Sequence, residues 1–304
     1  MSFAAQTKAQ LCSIQEDSFC CKNSLLYGLL ICANMFGGRR VRLMTEHPDI
    51  AGLAVRLLKD CFSIDTPVSS SESGKRRSMR VDITDKGALE SIMTGYGYGR
   101  SFVSLRVNRS VFACPHCTDT FLRGVFLSCG TAVNPDKEYH LELVFSHLNL
   151  SRDISALLAE QSLPPKSIMR GNSYVLYYKD SGELSDFLTL VGAHKSMFEV
   201  VDTTIYKELR NNANRLANCE TANIGKTVSA AASQIAAINL IISAGRLEEL
   251  PEELRKTALL RIEHQDISLG ELGAMLNPPV TKSGINHRIR RLMQMAEELD
   301  KTKG

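Results

Sequence analysis

The stretch CCKNSLLYGLLICAN, from Cys20 to Asn34, returns later in the chain as HCTDTFLRGVFLSCG, from His116 to Gly130, and the two align without a gap. Cys21 falls on Cys117, Leu26 on Leu122 and Gly28 on Gly124. Internal similarity of this kind fixes an architecture before any single motif does. The first copy is followed by an extended segment (39–46), a helical pattern (47–62), a polar loop SSSESGKRR (69–77), a strand SMRVDIT (78–84) and DKGALESIM (85–93). The second is followed by an extended segment (139–146), a helical pattern (150–161), a strand (172–179) and GELSDFLTLVG (182–192). Alternation at Leu141, Leu143 and Phe145 marks strands with one buried face, and Leu53, Leu57 and Leu58 fall on one side of a helix. Residues 1–200 therefore read as two α+β halves related by a pseudo-twofold axis.

The leading helix of each half carries a glycine in its middle, where glycine costs up to about 1 kcal/mol relative to alanine. Close approach of two helix backbones is the gain that offsets it, so the two leading helices are expected to pack on each other. FLRGVFLSCG resembles the paired helices of the LAGLIDADG homing endonucleases. In those nucleases each helix ends in an acidic residue, and the two carboxylates hold divalent ions that activate water at the scissile phosphate. The matching positions here are Ala33 and Cys129, and the first copy has no Asp or Glu between Asp17 and Glu46. Asp119 stands at the wrong end of its helix, and Asp136 follows in a loop without a counterpart. The pattern implies the scaffold without the chemistry: no catalytic residues, no metal and no cofactor, hence no enzyme.

Nine cysteines, an odd number scattered singly or in adjacent pairs, argue against a disulfide framework. Cys114 and Cys117 have the spacing of a zinc half-site, but no second pair matches it, and the adjacent Cys20 and Cys21 look poorly placed to supply two ligands. Pseudo-symmetry could bring Cys20 and Cys21 near Cys117, and zinc or redox chemistry is the alternative to the expected role of these cysteines as small core residues at helix starts. The longest uncharged apolar run, 23–38, is short for a membrane span of about 20 residues, and the first residues show no apolar signal core. A cytoplasmic protein without a membrane partner is expected. The net charge of +3 decides nothing about partners; its distribution does.

Beyond residue 200 strand signals vanish. Helical patterns cover 203–218, 230–245, 251–263, 268–276 and 281–299. Pro251 with Glu252 and Glu253 suits a first turn, and Ser268 with Glu271 forms a capping box. Asn277-Pro278-Pro279 then stops the short helix. A short helix, a brief turn and a longer helix make a helix-turn-helix. In the last helix Ile285, Ile289, Leu292, Met293 and Ala296 form the buried stripe. Lys282, Ser283, Asn286, His287, Arg290 and Arg291 lie opposite, Arg288 adds a further charge, and no acid occurs from Thr281 to Gln294. Such a single-sign surface suits phosphates and base edges in a major groove, so these seven residues are the candidate DNA contacts. The bland alternative is a basic helix that meets another protein. Lys75, Arg76, Arg77 and Arg80 are possible additional DNA contacts, set against the usual fate of a basic loop, which is solvation.

Taken together, LRGVFLSCG (122–130), NPDKEYHLEL (134–143), FLTLVGAH (187–194), RNNANRLANCETANIGKTVSAA (210–231) and LNPPVTKSGINHRIRRL (276–292) resemble the WhiA sporulation-regulator family over essentially the whole chain. That resemblance implies a degenerate, duplicated LAGLIDADG-like α+β domain (1–200), a helical linker (201–225) and an all-α helix-turn-helix DNA-binding domain (226–304). It also implies transcription regulation linked to sporulation, cell division and chromosome segregation. The expected partners are double-stranded DNA at promoter regions and another transcription regulator or RNA polymerase, with a nucleoid location. Within the Asn-rich stretch, Asn218 is read as a helix stop at the domain junction, while Arg210, Arg215 and Lys226 are the residues that would meet phosphates instead. Two rival functions stay open: a protein-interaction platform of the division machinery, and a nuclease with relocated ligands at Asp119 or Asp136.

Overall fold

The computed structural model describes residues 1–73, 76–99 and 103–301, with side chains left undescribed at 71–73, 76 and 77. The chain divides into two compact units, Met1–Glu208 and Leu209–Gly304.

The first unit opens with α1 (Phe3–Cys12), capped by Ser2. Its first half then runs α2 (Phe19–Ile31), β1 (Met35–Gly37), β2 (Arg40–Thr45), α3 (Pro48–Phe62), β3 (Val68–Ser73), β4 (Arg76–Ile83) and α4 (Lys86–Gly95). The second half repeats it as α5 (Cys117–Cys129), β5 (Gly130–Ala132), β6 (Leu141–Phe145), α6 (Leu148–Glu160), β7 (Lys166–Arg170), β8 (Ser173–Tyr178) and α7 (Ser181–Leu190). Each half builds a four-stranded antiparallel sheet, in the orders β1-β2-β4-β3 and β5-β6-β8-β7. The duplication expected from the sequence is thus matched strand for strand.

The interface of the halves is the α2–α5 crossing, and the paired glycines set its distance. A Cβ on Gly28 would stand 2.1 Å from the Phe121 carbonyl oxygen, and one on Gly124 would stand 2.3 Å from that of Leu25. Each glycine faces the carbonyl three positions before the other, so the contact is symmetric and only a hydrogen fits. Around it Leu25, Leu29, Phe121 and Val125 are fully buried, continuous with Leu57 and Leu58 of α3 and Leu157 and Leu158 of α6.

Three expectations are corrected. The segment 69–77 is not a plain loop: Val68–Ser73 pairs antiparallel with Arg76–Ile83, and only Lys75 and Gly74 lie outside the described residues. Two separate helices at 203–218 and 230–245 are instead parts of α8 (His194–Ser243). Asn218 accordingly is no helix stop, because the backbone continues helical on both sides of it; Asn is a weak helix former but not a breaker.

The second unit gathers the rest of α8 with α9 (Glu252–Glu263), α10 (Leu269–Ala274) and α11 (Lys282–Lys301). Ile238, Ile241, Leu254, Ala258, Leu272, Ile285, Ile289 and Leu292 make its core. Among the described residues no helix is long and apolar enough to cross a membrane.

Candidate nucleic-acid interface

The helices that carry the candidate surface are fixed by local chemistry. At the start of α10 the Ser268 N–H donates to Glu271 Oε2 at 2.8 Å and the Glu271 N–H donates back to Ser268 Oγ at 3.4 Å, closing the capping box. The turn after α10 folds back so that the Val280 N–H donates to the Gly273 carbonyl at 2.9 Å. A Cβ at Gly273 would lie 2.2 Å from the Val280 oxygen, so the close return of the turn requires glycine there. Thr281 Oγ1 then accepts from the Gly284 N–H at 3.3 Å as α11 begins.

One member of this framework escaped the sequence pattern. Arg261 of α9 is 1% exposed, and its guanidinium donates to the carbonyls of Ile267 at 2.7 Å and His264 at 3.4 Å. Burial pushes its pKa down, with Asp266 opposing. It ties the connection between α9 and α10 to the core, and an arginine on an amphipathic helix gives no signal that distinguishes this role from a surface one.

On α11 the stripe Ile285, Ile289, Leu292 and Ala296 is buried and Met293 is half-buried. Lys282, Ser283, His287, Arg290 and Arg291 are exposed, and Asn286 is half-buried at the flank of that surface. Arg288 turns the other way: its Nη2 meets Glu253 Oε2 of α9 at 3.0 Å. The first acid on the helix after Lys282 is Glu297. Six of the seven residues singled out on this helix therefore share one side of it or its margin, and Arg288 anchors the helix to its neighbour.

In the first unit the polar face of the sheet β1-β2-β4-β3 holds a second concentration of positive charge. Arg42 Nη2 meets Asp82 Oδ2 at 2.9 Å and Arg40 Nε meets Oδ1 at 3.1 Å. The Arg42 hydrogen bond, with Arg40 and Arg80 beside it, holds the Asp82 carboxyl below its ordinary range. Arg80, half-buried, pairs in register with Met44 and Ser69. Of the other basic residues named on this hairpin, Lys75 and the side chains of Arg76 and Arg77 lie outside the described residues.

Where the nucleases place their acids, α2 and α5 end differently. A cavity of about 100 Å³ at the end of α2 is lined by Cys32, Ala33, Asn34, Phe145 and His147 among others, with no carboxylate. Burial first, then the neighbouring Cys129 thiol, pushes the Cys32 thiol up. Asp119 sits in the first turn of α5, its carboxyl pushed up by burial, and Asp136 is exposed in a turn where its N–H donates to Asn134 Oδ1 at 2.8 Å. Among the described residues the one gathering of three or more metal-ligating side chains is made of thiols: Cys20, Cys21, Cys114 and Cys117.

Comparison with known proteins agrees with this geometry. The WhiA LAGLIDADG-like domain matches residues 118–210, and the WhiA C-terminal HTH domain matches residues 213–296. A "probable cell division protein WhiA" of Clostridium novyi is 39% identical, with 99% of each chain covered. A protein of the same name from Clostridium beijerinckii is 37% identical over the whole of both chains. The crystal structure of full-length DUF199/WhiA from Thermatoga maritima superposes with a TM-score of 0.59 at 26% identity, covering 98% of this chain and 99% of that one. Duplicated scaffold, helix-turn-helix and end-to-end similarity agree, and the chain belongs to the WhiA family.

Proposed function

We propose that this protein is a transcription regulator that binds double-stranded DNA at promoter regions on the nucleoid and does not cut it. The observation that supports the reading is the outward side of α11, where Ser283, His287, Arg290 and Arg291 are exposed, Lys282 stands at the start and no acid precedes Glu297. A solvated helix face ordinarily mixes signs, whereas this one is cationic over its first half and is mounted on a helix-turn-helix core. Lys282 and Arg291 serve phosphates. Asn286 and Arg290, one turn apart, read base edges. Arg80, with Arg40 and Arg42, offers a further phosphate-binding surface in the first unit. The relatives' name points to genes of cell division as the targets, and the family resemblance adds sporulation and chromosome segregation.

Gel-shift titrations at several salt concentrations test this. Asn286→Ala or Arg290→Ala costs about 1–3 kcal/mol at a preferred site, while Lys282→Ala weakens all sequences alike and flattens the salt dependence. Unchanged affinity in the Asn286→Ala, Arg290→Ala double variant defeats the reading. The absence of cutting is checked with supercoiled plasmid in Mg²⁺ and Mn²⁺ against an EDTA control. Metal-dependent nicking there means that acids such as Asp119 or Asp136 have taken over the ligand role.

A further inference from the structure

The four thiols of Cys20, Cys21, Cys114 and Cys117 come from two places far apart in sequence and meet at one point. Cys20 and Cys21 lie in the first turn of α2, whose cap Ser18 accepts from the Cys21 N–H. Cys117 opens α5, and Cys114 precedes it in a turn closed by the Cys117 N–H donating to the Cys114 carbonyl at 3.1 Å. Cys114 Sγ stands 3.6 Å from the Sγ of Cys20, 3.6 Å from that of Cys21 and 3.4 Å from that of Cys117. All four sulfurs fall within 4.8 Å of one another. The pseudo-symmetry that superposes Cys21 on Cys117 brings the helix starts together, so adjacency in sequence does not keep Cys20 and Cys21 from converging.

We infer that these four cysteines form a mononuclear tetrathiolate zinc site. A tetrahedron of thiolates about 2.3 Å from a zinc ion has sulfur–sulfur edges of roughly 3.8 Å, close to the separations found. An iron–sulfur cluster interposes several irons and spreads its thiolates wider than one ion does. Among single divalent ions, zinc binds such a site more tightly than ferrous iron. The surroundings suit the negative charge of the complex, because both helices present their N-terminal ends and backbone N–H groups to it. They also supply an outer partner. The Ser24 hydroxyl is wholly buried with no nitrogen or oxygen partner and stands beside the Cys117 sulfur, where it can donate to a thiolate. The site is structural, with all four positions taken by protein. It joins the N-terminal ends of α2 and α5, seven residues before the glycines at which the same helices cross.

The test uses the full chain without a metal-binding tag, purified under reductant and without chelator. Elemental analysis gives one zinc per chain, and an organomercurial that caps thiols releases it while lowering the midpoint of thermal unfolding. Replacement by Co²⁺ gives the intense visible bands of tetrahedral cobalt with sulfur-to-metal charge transfer. Cys114→Ser with Cys117→Ser abolishes both signals, and Cys219→Ser, which removes the exposed thiol of α8, leaves them intact. Should the double variant fail to fold, the cobalt spectrum of the unaltered chain still decides. A wild-type chain with four freely titratable thiols and no stoichiometric metal overturns the inference. So does iron at one equivalent, or a cobalt spectrum that lacks thiolate character.

Discussion

The two halves of the first unit share a topology and differ in what each leading helix touches beyond its twin. Where α2 meets α5 they are rotational copies: Gly28 faces the Phe121 carbonyl as Gly124 faces that of Leu25. One residue earlier the symmetry ends. Tyr27 turns to the segment between the halves, its hydroxyl accepting from the Asn108 N–H at 2.8 Å and standing 2.7 Å from that of Tyr98, while its ring stacks on Tyr96 at 4.5 Å. The equivalent Arg123 turns to the end of α7 and to chain before the first copy: its Nε donates to the Val191 carbonyl at 2.7 Å, and Nη1 pairs with Glu16. The sheets diverge similarly: the pair Arg42 and Asp82 in one is answered by Glu142 and Tyr177 at the same register in the other. A duplicated fold keeps its likeness where the copies bind each other, since a change on one side there must be answered on the other. Private neighbours release each copy to drift.

If that is the rule, the largest and most equal losses come from the shared contact. Gly28→Leu and Gly124→Leu each drive side-chain carbon into a backbone carbonyl and should cost more than about 4 kcal/mol, enough to stop the unit from folding. Soluble yield and circular dichroism check this, and tolerance of one but not the other breaks the symmetry. Next comes Arg123→Met, which strands a largely buried Glu16 and should cost about 3 kcal/mol in urea unfolding, with part of the loss recovered when Glu16→Gln is added. Tyr27→Phe, on the opposite copy, leaves the Asn108 N–H without its acceptor and should cost about 1–2 kcal/mol by the same measurement.

The smallest effect has the opposite sign. Lys8 of α1 is 8% exposed, 5.9 Å from the centre of the Phe126 ring, and burial lowers its pKa from 10.5. The unfolded chain therefore holds the proton more firmly than the folded one. The cost to stability is fully present below the depressed pKa and disappears as pH rises towards the unfolded value. Lys8→Met should raise stability by about 1 kcal/mol at neutral pH and flatten that rise, as read from urea melts at neutral and alkaline pH.

How far the sequence revealed this molecule follows the same line. The repeat exposed the topology because β2 and β6, and α3 and α6, carry one-sided apolar patterns that each copy preserves, while α2 and α5 share a run that is buried all round. The edge strands β3 and β7 left no such trace: VSSSES is polar after its first residue, the exposed Val68, and every residue of Lys166–Arg170 is exposed, so alternation has nothing to mark. On α11 the buried stripe was legible from spacing, whereas the turning of Arg288 towards Glu253 depends on a partner in another helix. The thiol cluster was half visible. Its members could be counted, and the repeat pointed to Cys20 and Cys21 lying near Cys117, but the convergence of all four sulfurs depends on how closely two helix starts approach, which spacing within either does not record.

The fifty-residue α8 has a middle, from 208 to 230, in which every residue is exposed. Starting a helix in water is the unfavourable step and extending one is nearly neutral, so a segment rich in Asn, with Gly225 and no tertiary burial, would be mostly coil as a free peptide. In the protein it is seeded from both ends, by the buried Ser196 and Val200 on one side and by Ala231, Gln234 and Ile238 on the other. Its helicity is borrowed. Amide hydrogens should exchange slowest at those seeds and progressively faster towards Asn218.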